Sequence, residues 1–245
     1  MALLVVSYCP TGQDYVCVLS IVRCRTPNNF DDNYHNHDYN DHDHNHHTYV
    51  PYPCKPQAYD ILFGIATRKD EYNDVRDQID SFIRHFDIGD GPGQARFASI
   101  LNTVSRPTLK FPTSKTHNAF IASLSRSFNR DEDYNWMNHE LLKLGRPLFD
   151  SKRTDSTVHV KKVVIIFGGD NKSAVGDNIS EGVKTKQDNI QTYVISYGLS
   201  NELGRIYHLT PNRPDRMFHV ETVKQSQSKL DKIREDIVSD DLCDL

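Results

Sequence analysis

No Cys-x-x-Cys pair occurs in the 245 residues, which removes a zinc ribbon and a thioredoxin-like redox site. No run approaches the roughly 18 apolar residues that a membrane-spanning helix requires. There is no Gly-x-x-x-x-Gly-Lys-Ser/Thr, hence no P-loop. Gly168-Gly169 is too short for a dinucleotide fingerprint, whose three glycines open a helix. No Gly-x-Ser-x-Gly elbow presents a nucleophilic serine. No His-Glu-x-x-His pair exists, and His85, His117, His139, His159, His208 and His219 read as surface or packing residues. A positive excess is also lacking. Lys and Arg number 29 against 33 Asp and Glu, a net charge of −4, and general nucleic-acid binding needs a basic face. These absences leave no catalytic constellation, that of a metal-dependent hydrolase included. They predict a protein that is not an enzyme and does not insert into a membrane.

Cysteine is sparse and uneven. Of Cys9, Cys17, Cys24, Cys54 and Cys243, three fall in the first 24 residues and none between 54 and 243. Two readings stay open: free thiols in a cytosolic protein, or an extracellular domain whose ends a disulfide joins, with an odd thiol left for a second chain. The N-terminus does not decide between them. Ala2–Val6 is apolar but short, and Pro10–Asp14 breaks it before Tyr15–Val22. A signal peptide needs an unbroken apolar stretch of about 7–15 residues, so either export uses a weak signal or the native start lies elsewhere.

What is present is sufficient for a core: hydrophobic residues make up 37 %, aromatic 10 % and charged 25 %. Residues 1–58 stand apart as an N-terminal arm. Asn28–His47 is almost entirely Asn, Asp, His and Tyr, cannot bury apolar surface, and is expected to be disordered. Pro51, Pro53 and Pro56 then form an extended connector. His35, His37, His42, His44, His46 and His47 sit among Asp38, Asp41 and Asp43. Imidazoles with carboxylates suit Zn²⁺, Cu²⁺ or Ni²⁺; a soluble spacer is the alternative.

From Tyr59 the pattern is regular. Asp60–Ala66, Val160–Phe167 and Ile190–Tyr197 are the apolar runs of strands buried on both faces. Helical spacing predicts helices over Asp70–Phe86 (Asp70 as N-cap), Thr116–Phe128, Trp136–Leu144, Gly176–Gln187, Asn201–Leu209 and Val223–Val238. Arg96–Val104 and Thr108–Phe111 read as a hairpin, and Met217–Val220 as a last short strand. Gly64 would allow close helix packing. Alternating strands and helices predict an α/β, doubly wound, mostly parallel sheet of about six strands. One antiparallel edge strand and helices on both faces complete it. Ligands on such sheets bind at the carboxyl ends of the strands, here after Ile65, Phe167 and Tyr197.

Order and spacing from Tyr59 to Leu245 resemble the von Willebrand factor type A (VWA) domain. The matching pieces are Tyr59-Asp-Ile-Leu-Phe-Gly-Ile-Ala66, Lys162-Val-Val-Ile-Ile-Phe-Gly-Gly169, Ile190-Gln-Thr-Tyr-Val-Ile-Ser-Tyr-Gly198, Glu202-Leu-Gly-Arg-Ile-Tyr207 and Met217-Phe-His-Val220. The resemblance covers about three quarters of the chain and implies a domain over residues 59–245. It also implies a metal-ion-dependent adhesion site built from an Asp-x-Ser-x-Ser stretch, a Thr and an Asp. Here that Asp falls on Ala66, the two Ser on Arg68 and Asp70, the Thr near Ser114, and the later Asp on Gly168, with Asp170 two positions on. Hard cations such as Mg²⁺ want oxygen ligands, so the resemblance implies a degenerate site with no required cofactor. Its partner-binding face would use Arg68, Lys69, Asp70, Ser114, Lys115 and Asp170. Many extracellular members carry a flanking disulfide, which implies Cys54–Cys243 and a secreted protein of the extracellular matrix. Asn171-Lys-Ser173 and Asn178-Ile-Ser180 are glycosylation sequons that would agree with export. The expected function is a non-enzymatic adhesion module binding collagen or other matrix proteins, with self-association through the arm or an odd cysteine. The alternative is an intracellular scaffold of the same fold.

Overall fold

The computed structural model describes residues 57–103, 108–111, 115–128, 138–154, 158–168, 175–197, 206–210 and 213–239. In chain order its elements are β1 (Gln57–Ala66), α1 (Tyr72–Ile83), β2 (Asp87–Ile88), β3 (Gln94–Leu101), β4 (Thr108–Leu109), α2 (His117–Phe128), α3 (Asn138–Gly145), β5 (His159–Gly168), α4 (Val175–Gln187), β6 (Ile190–Tyr197), β7 (Met217–Val220) and α5 (Gln227–Ser239). Short 3-10 turns at Lys69–Glu71, Arg146–Asp150 and Val223–Ser226 lead into or out of helices.

β1 is buried along almost its whole length because a parallel strand flanks it on each side. β3 pairs with it from Tyr59↔Ala95 to Ile65↔Leu101, and β5 from Gln57↔His159 to Ala66↔Gly168. The sheet runs β2-β3-β1-β5-β6-β7. The outer edge of β3 is shared: β2 covers its start in parallel and β4 its end antiparallel. The doubly wound parallel sheet with one antiparallel edge strand is therefore present, with seven strands. The addition is β2, whose two residues are too few to show a period.

Alternation along the strands splits the core in two. Ile61, Phe63 and Ile65 of β1 meet Phe82 of α1, Phe120 of α2 and Ile233 of α5 on one face. Leu62 and Ala66 meet Leu141 and Leu142 of α3 on the other. Two glycines set how closely α3 approaches. A Cβ on Gly64 would lie 3.2 Å from Leu141 Cδ1, and one on Gly145 would lie 2.4 Å from Leu62 Cδ2. The close-packing role expected of Gly64 is thus visible, and Gly145 shares it.

α4 reverses the usual pattern of an amphipathic helix. Its buried residues are Asn178, Glu181, Gly182 and Thr185, whereas Val175, Ile179 and Val183 are exposed. Asn178 is fully buried, so the Asn178-Ile-Ser180 sequon cannot receive a glycan in the folded chain; that sign of export is withdrawn. Asn171 lies outside the described residues.

At the amino end of the sheet, Asp60 is held by two arginines. Arg96 donates to both of its oxygens at 2.9 and 2.6 Å, and Arg153 to one at 2.8 Å. The guanidiniums also donate to the carbonyls of Ser151, Lys152, Tyr59 and Gly89. All three charged side chains are 3 % exposed or less. Burial lowers the pKa of Arg153 and the Asp60 carboxylate opposes that.

Candidate functional site

The carboxyl ends of β1, β5 and β6 carry Ala66, Gly168 and Tyr197 to one edge of the sheet. Ala66 and Gly168 are register partners, so two residues without a side-chain oxygen stand side by side at its centre. A Cβ built on Gly168 would lie 3.0 Å from Asn138 Nδ2, at the start of α3. The space a larger residue would need at 168 is already taken by an amide.

The connection from β1 to α1 supplies the polar groups. Thr67 is fully buried and donates its hydroxyl to Glu71 Oε2 at 2.6 Å. The Arg68 backbone N–H donates to the same oxygen at 3.1 Å, and the Glu71 N–H returns a bond to the Arg68 carbonyl. This reciprocal pairing satisfies donors that a helix start otherwise leaves open. It corrects the expectation that Asp70 caps α1: Asp70 lies inside the 3-10 turn and is exposed, the Glu71 carboxylate caps that turn, and Glu71 stands at the N-cap of α1 without a side-chain cap bond. The Tyr197 side chain is buried, and its hydroxyl has no hydrogen-bond partner among the described residues. Burial raises its pKa well above the usual value; Thr67 beside it opposes the rise and Glu71 adds to it.

Arg68, Lys69 and Asp70 are brought together here, all exposed. Arg68 makes no ion pair with Asp70, and its guanidinium has no acidic partner among the described residues. Lys115 does not join them. α1 runs away from this edge and ends beside Phe86, next to β2, which pairs with the start of β3. His117 at the start of α2 hydrogen-bonds the Phe86 carbonyl at 2.8 Å. α2 returns toward the carboxyl end, where Phe128 stacks on Tyr72 at 4.4 Å. Lys115, just before α2, therefore sits toward the amino end of the sheet, and its assignment to the partner-binding face is corrected. Among the described residues, the start of α3 reaches the centre of the carboxyl edge, with Asn138 against Gly168.

Ser114, Asp170, Cys54, Cys243 and the six arm histidines lie outside the described residues. Among the described residues no group of three or more His, Cys, Asp and Glu is placed to hold a metal ion. Among the described residues of this edge, the Glu71 carboxylate is engaged by Thr67 and Arg68, the Asp70 carboxylate is exposed, and the Tyr197 phenol lies nearby. Sequence reasoning passed over Thr67, Glu71, Tyr197 and Asn138. The spacing of Arg68 and Glu71, an acidic residue three positions after a helix start, was the available signal.

No family model matches the sequence, and no curated protein matches it. Solved structures do match the fold. Proximal thread matrix protein 1 from the mussel byssus is similar at TM-score 0.57 and 15 % identity, over 77 % of this chain and 47 % of that one. Another structure of that protein, with a zinc-occupied metal-ion-dependent adhesion site, gives TM-score 0.55 at 15 % identity over 77 % of this chain and 46 % of that one. The pilus adhesin SpaC from Lactobacillus rhamnosus GG, in an open conformation, is similar at TM-score 0.58 and 11 % identity, over 76 % of this chain and 30 % of that one. The VWA domain of SpRpn10 aligns at TM-score 0.50 and 12 % identity, over 69 % of this chain and 93 % of the domain. The chain thus spans under half the length of the mussel protein it matches, and its fold is that of a VWA-like domain.

Proposed function

We propose that the chain is a non-enzymatic extracellular adhesion or matrix-binding module that meets a carboxylate-bearing partner protein at the carboxyl edge of its sheet without a bridging cation. The observation that carries this reading is the pairing of an oxygen-free centre, Ala66 beside Gly168, with the exposed and unengaged guanidinium of Arg68. Arginine can grip a carboxylate bidentately with no metal. Lys69 adds positive charge beside it, and Asp170 is the further contributor the sequence suggests.

Likeness in fold to a byssal matrix protein and a pilus adhesin supports an adhesive role. Collagen is the first ligand to try. Secretion with a Cys54–Cys243 disulfide belongs to the same proposal. Its support is that Lys161, the register partner of Tyr59, donates to the Ile237 carbonyl, so α5 ends on the side of the sheet where β1 begins. The arm is proposed to take Zn²⁺, Cu²⁺ or Ni²⁺ through its six histidines, and to mediate self-association.

The test is capture of the full chain's partner from matrix extract, with and without chelator. Capture that survives the chelator and falls severalfold in Arg68→Ala supports the proposal. Capture that the chelator abolishes, or that Arg68→Ala leaves intact, overturns it. Five free thiols in the native protein would overturn the extracellular reading and favour an intracellular scaffold.

A further inference from the structure

At the amino end of the sheet, on the face covered by α3, four register partners form a row across β3, β1, β5 and β6: Arg96, Asp60, Lys162 and Ile190. Asp60 is spent on Arg96 and Arg153. Lys162, next in the row, has no carboxylate partner among the described residues, although its side chain is half-buried. Beside it opens a cleft of about 320 Å³ lined by Arg146, Pro147, Asp150, Lys162, Asp188 and Ile190. Arg146 donates to Glu181 at 2.8 Å and to Asp188 at 3.3 Å, but its buried Nε has no partner. Asp150 on the rim is exposed and likewise unpaired. The cleft is therefore lined by one unpaired ammonium, Lys162, and one unpaired carboxylate, Asp150, with Pro147 and Ile190 among its walls.

We propose that this cleft binds a zwitterionic ligand. Its carboxylate would sit against Lys162, and its ammonium or guanidinium against Asp150. The volume is at the small end of ligand cavities, about 300–1,000 Å³, and fits an amino-acid-sized group. Two sources share this chemistry: a free amino acid, or neighbouring acidic and basic side chains of a polypeptide. The second source rests on the reading of the chain as a protein-binding module; the first does not. Half-exposed ion pairs are weak, so binding is in the millimolar range.

The experiment uses the full chain with its isoleucine methyl groups labelled, and follows Ile190 by NMR. The probes are free glutamine and the end-capped peptide acetyl-Glu-Gly-Lys-amide, with acetyl-Gln-Gly-Gln-amide as the uncharged control. The expected result is a saturable shift of the Ile190 methyl with a charged probe and none with the control. Binding should weaken about two- to fivefold in Lys162→Gln and again in Asp150→Asn, and stay unchanged in Arg68→Ala. A response to the peptide assigns the polypeptide source; a response to glutamine alone assigns the free amino acid. No shift from either probe, an equal shift from the uncharged control, or binding unchanged in both cleft variants overturns the proposal. Because Arg68 is absent from this cleft, failure here leaves the carboxyl-edge reading standing, and failure there leaves this one.

Discussion

The Asp60 cluster at the amino end of the sheet and the carboxyl edge handle polar groups in opposite ways. At the amino end Asp60, Arg96 and Arg153 are almost wholly out of water, and each carboxylate oxygen has its donors. At the carboxyl end the buried Tyr197 hydroxyl is unmatched, Arg68 stands in solvent, and the centre is a methyl group beside a glycine. Buried charge is tolerated only when paired and hydrogen-bonded, so the first end is built to hold the fold. The second leaves donors unspent, as a surface that meets a partner must. The Asp60 cluster is thus set for stability and the carboxyl edge for binding, and each of the following substitutions tests one side of that contrast.

Asp60→Asn should have the largest effect. It leaves two buried guanidiniums with only Asp90, 3.6 Å from Arg96, as counter-charge among the described residues, which costs about 3–5 kcal/mol. At about 2–4 °C per kcal/mol for a domain of this size, the melting temperature falls by about 10 °C or the chain does not fold. A melt within about 2 °C of the parent would end the claim that this end carries stability.

Gly145→Ala comes next. The new methyl carbon meets Leu62 Cδ2 at 2.4 Å, where Leu62 is fully buried. Overpacking of this kind costs about 1–3 kcal/mol, reduced here by the better helix propensity of alanine. Gly64→Ala meets Leu141 only at 3.2 Å and should cost less. The reverse order in a denaturant titration would show that α3 does not rest on β1 as described.

Much of this architecture was legible in the chain because apolar runs are local signals. Ile190–Tyr197 and Met217–Val220 occupy the expected bounds, and β1 and β5 extend theirs by a few residues. What was not legible depends on partners distant in sequence. Asp60 reads as the flank of an apolar strand until Arg96, thirty-six positions on, closes on it. A hydroxyl-rich loop at 112–116 looks like part of a top-face site, but the direction of α2 puts Lys115 toward the other end. That direction follows from two contacts, His117 with Phe86 and Phe128 with Tyr72, which no local pattern encodes. α4 misleads in the other sense: Val175, Ile179 and Val183 form a helical stripe, and it faces water.

Tyr197→Phe tests the unmatched hydroxyl. Removing a buried polar group that lacks a partner is nearly neutral or stabilising, by up to about 1 kcal/mol at neutral pH. Its pKa is raised in the folded state by burial, so the folded form resists losing the proton. The sign follows: the stability tied to the neutral phenol is complete below the unfolded value of about 10 and is lost as pH rises beyond it. The parent should therefore lose stability above about pH 10 that the Phe variant keeps. Equal alkaline profiles would mean that this hydroxyl reaches water.

The smallest expected effect is the most informative about function. The Arg68 guanidinium is exposed and has no partner among the described residues, so Arg68→Ala should change stability by no more than about 0.5 kcal/mol while weakening capture of an acidic partner. The same logic extends to cations. A ligand that binds only the folded state must raise its melting temperature, and Ala66 and Gly168 offer such an ion no side-chain oxygen. Full-length protein melted in millimolar Mg²⁺ or Mn²⁺ should match the chelated sample within about 1 °C, with or without Arg68. A rise of several degrees that Asp170→Ala abolishes would show a cation held at the carboxyl edge. Arg68 would then stand beside a metal rather than in its place, and the contrast between a spent Asp60 cluster and an unspent carboxyl edge would no longer hold.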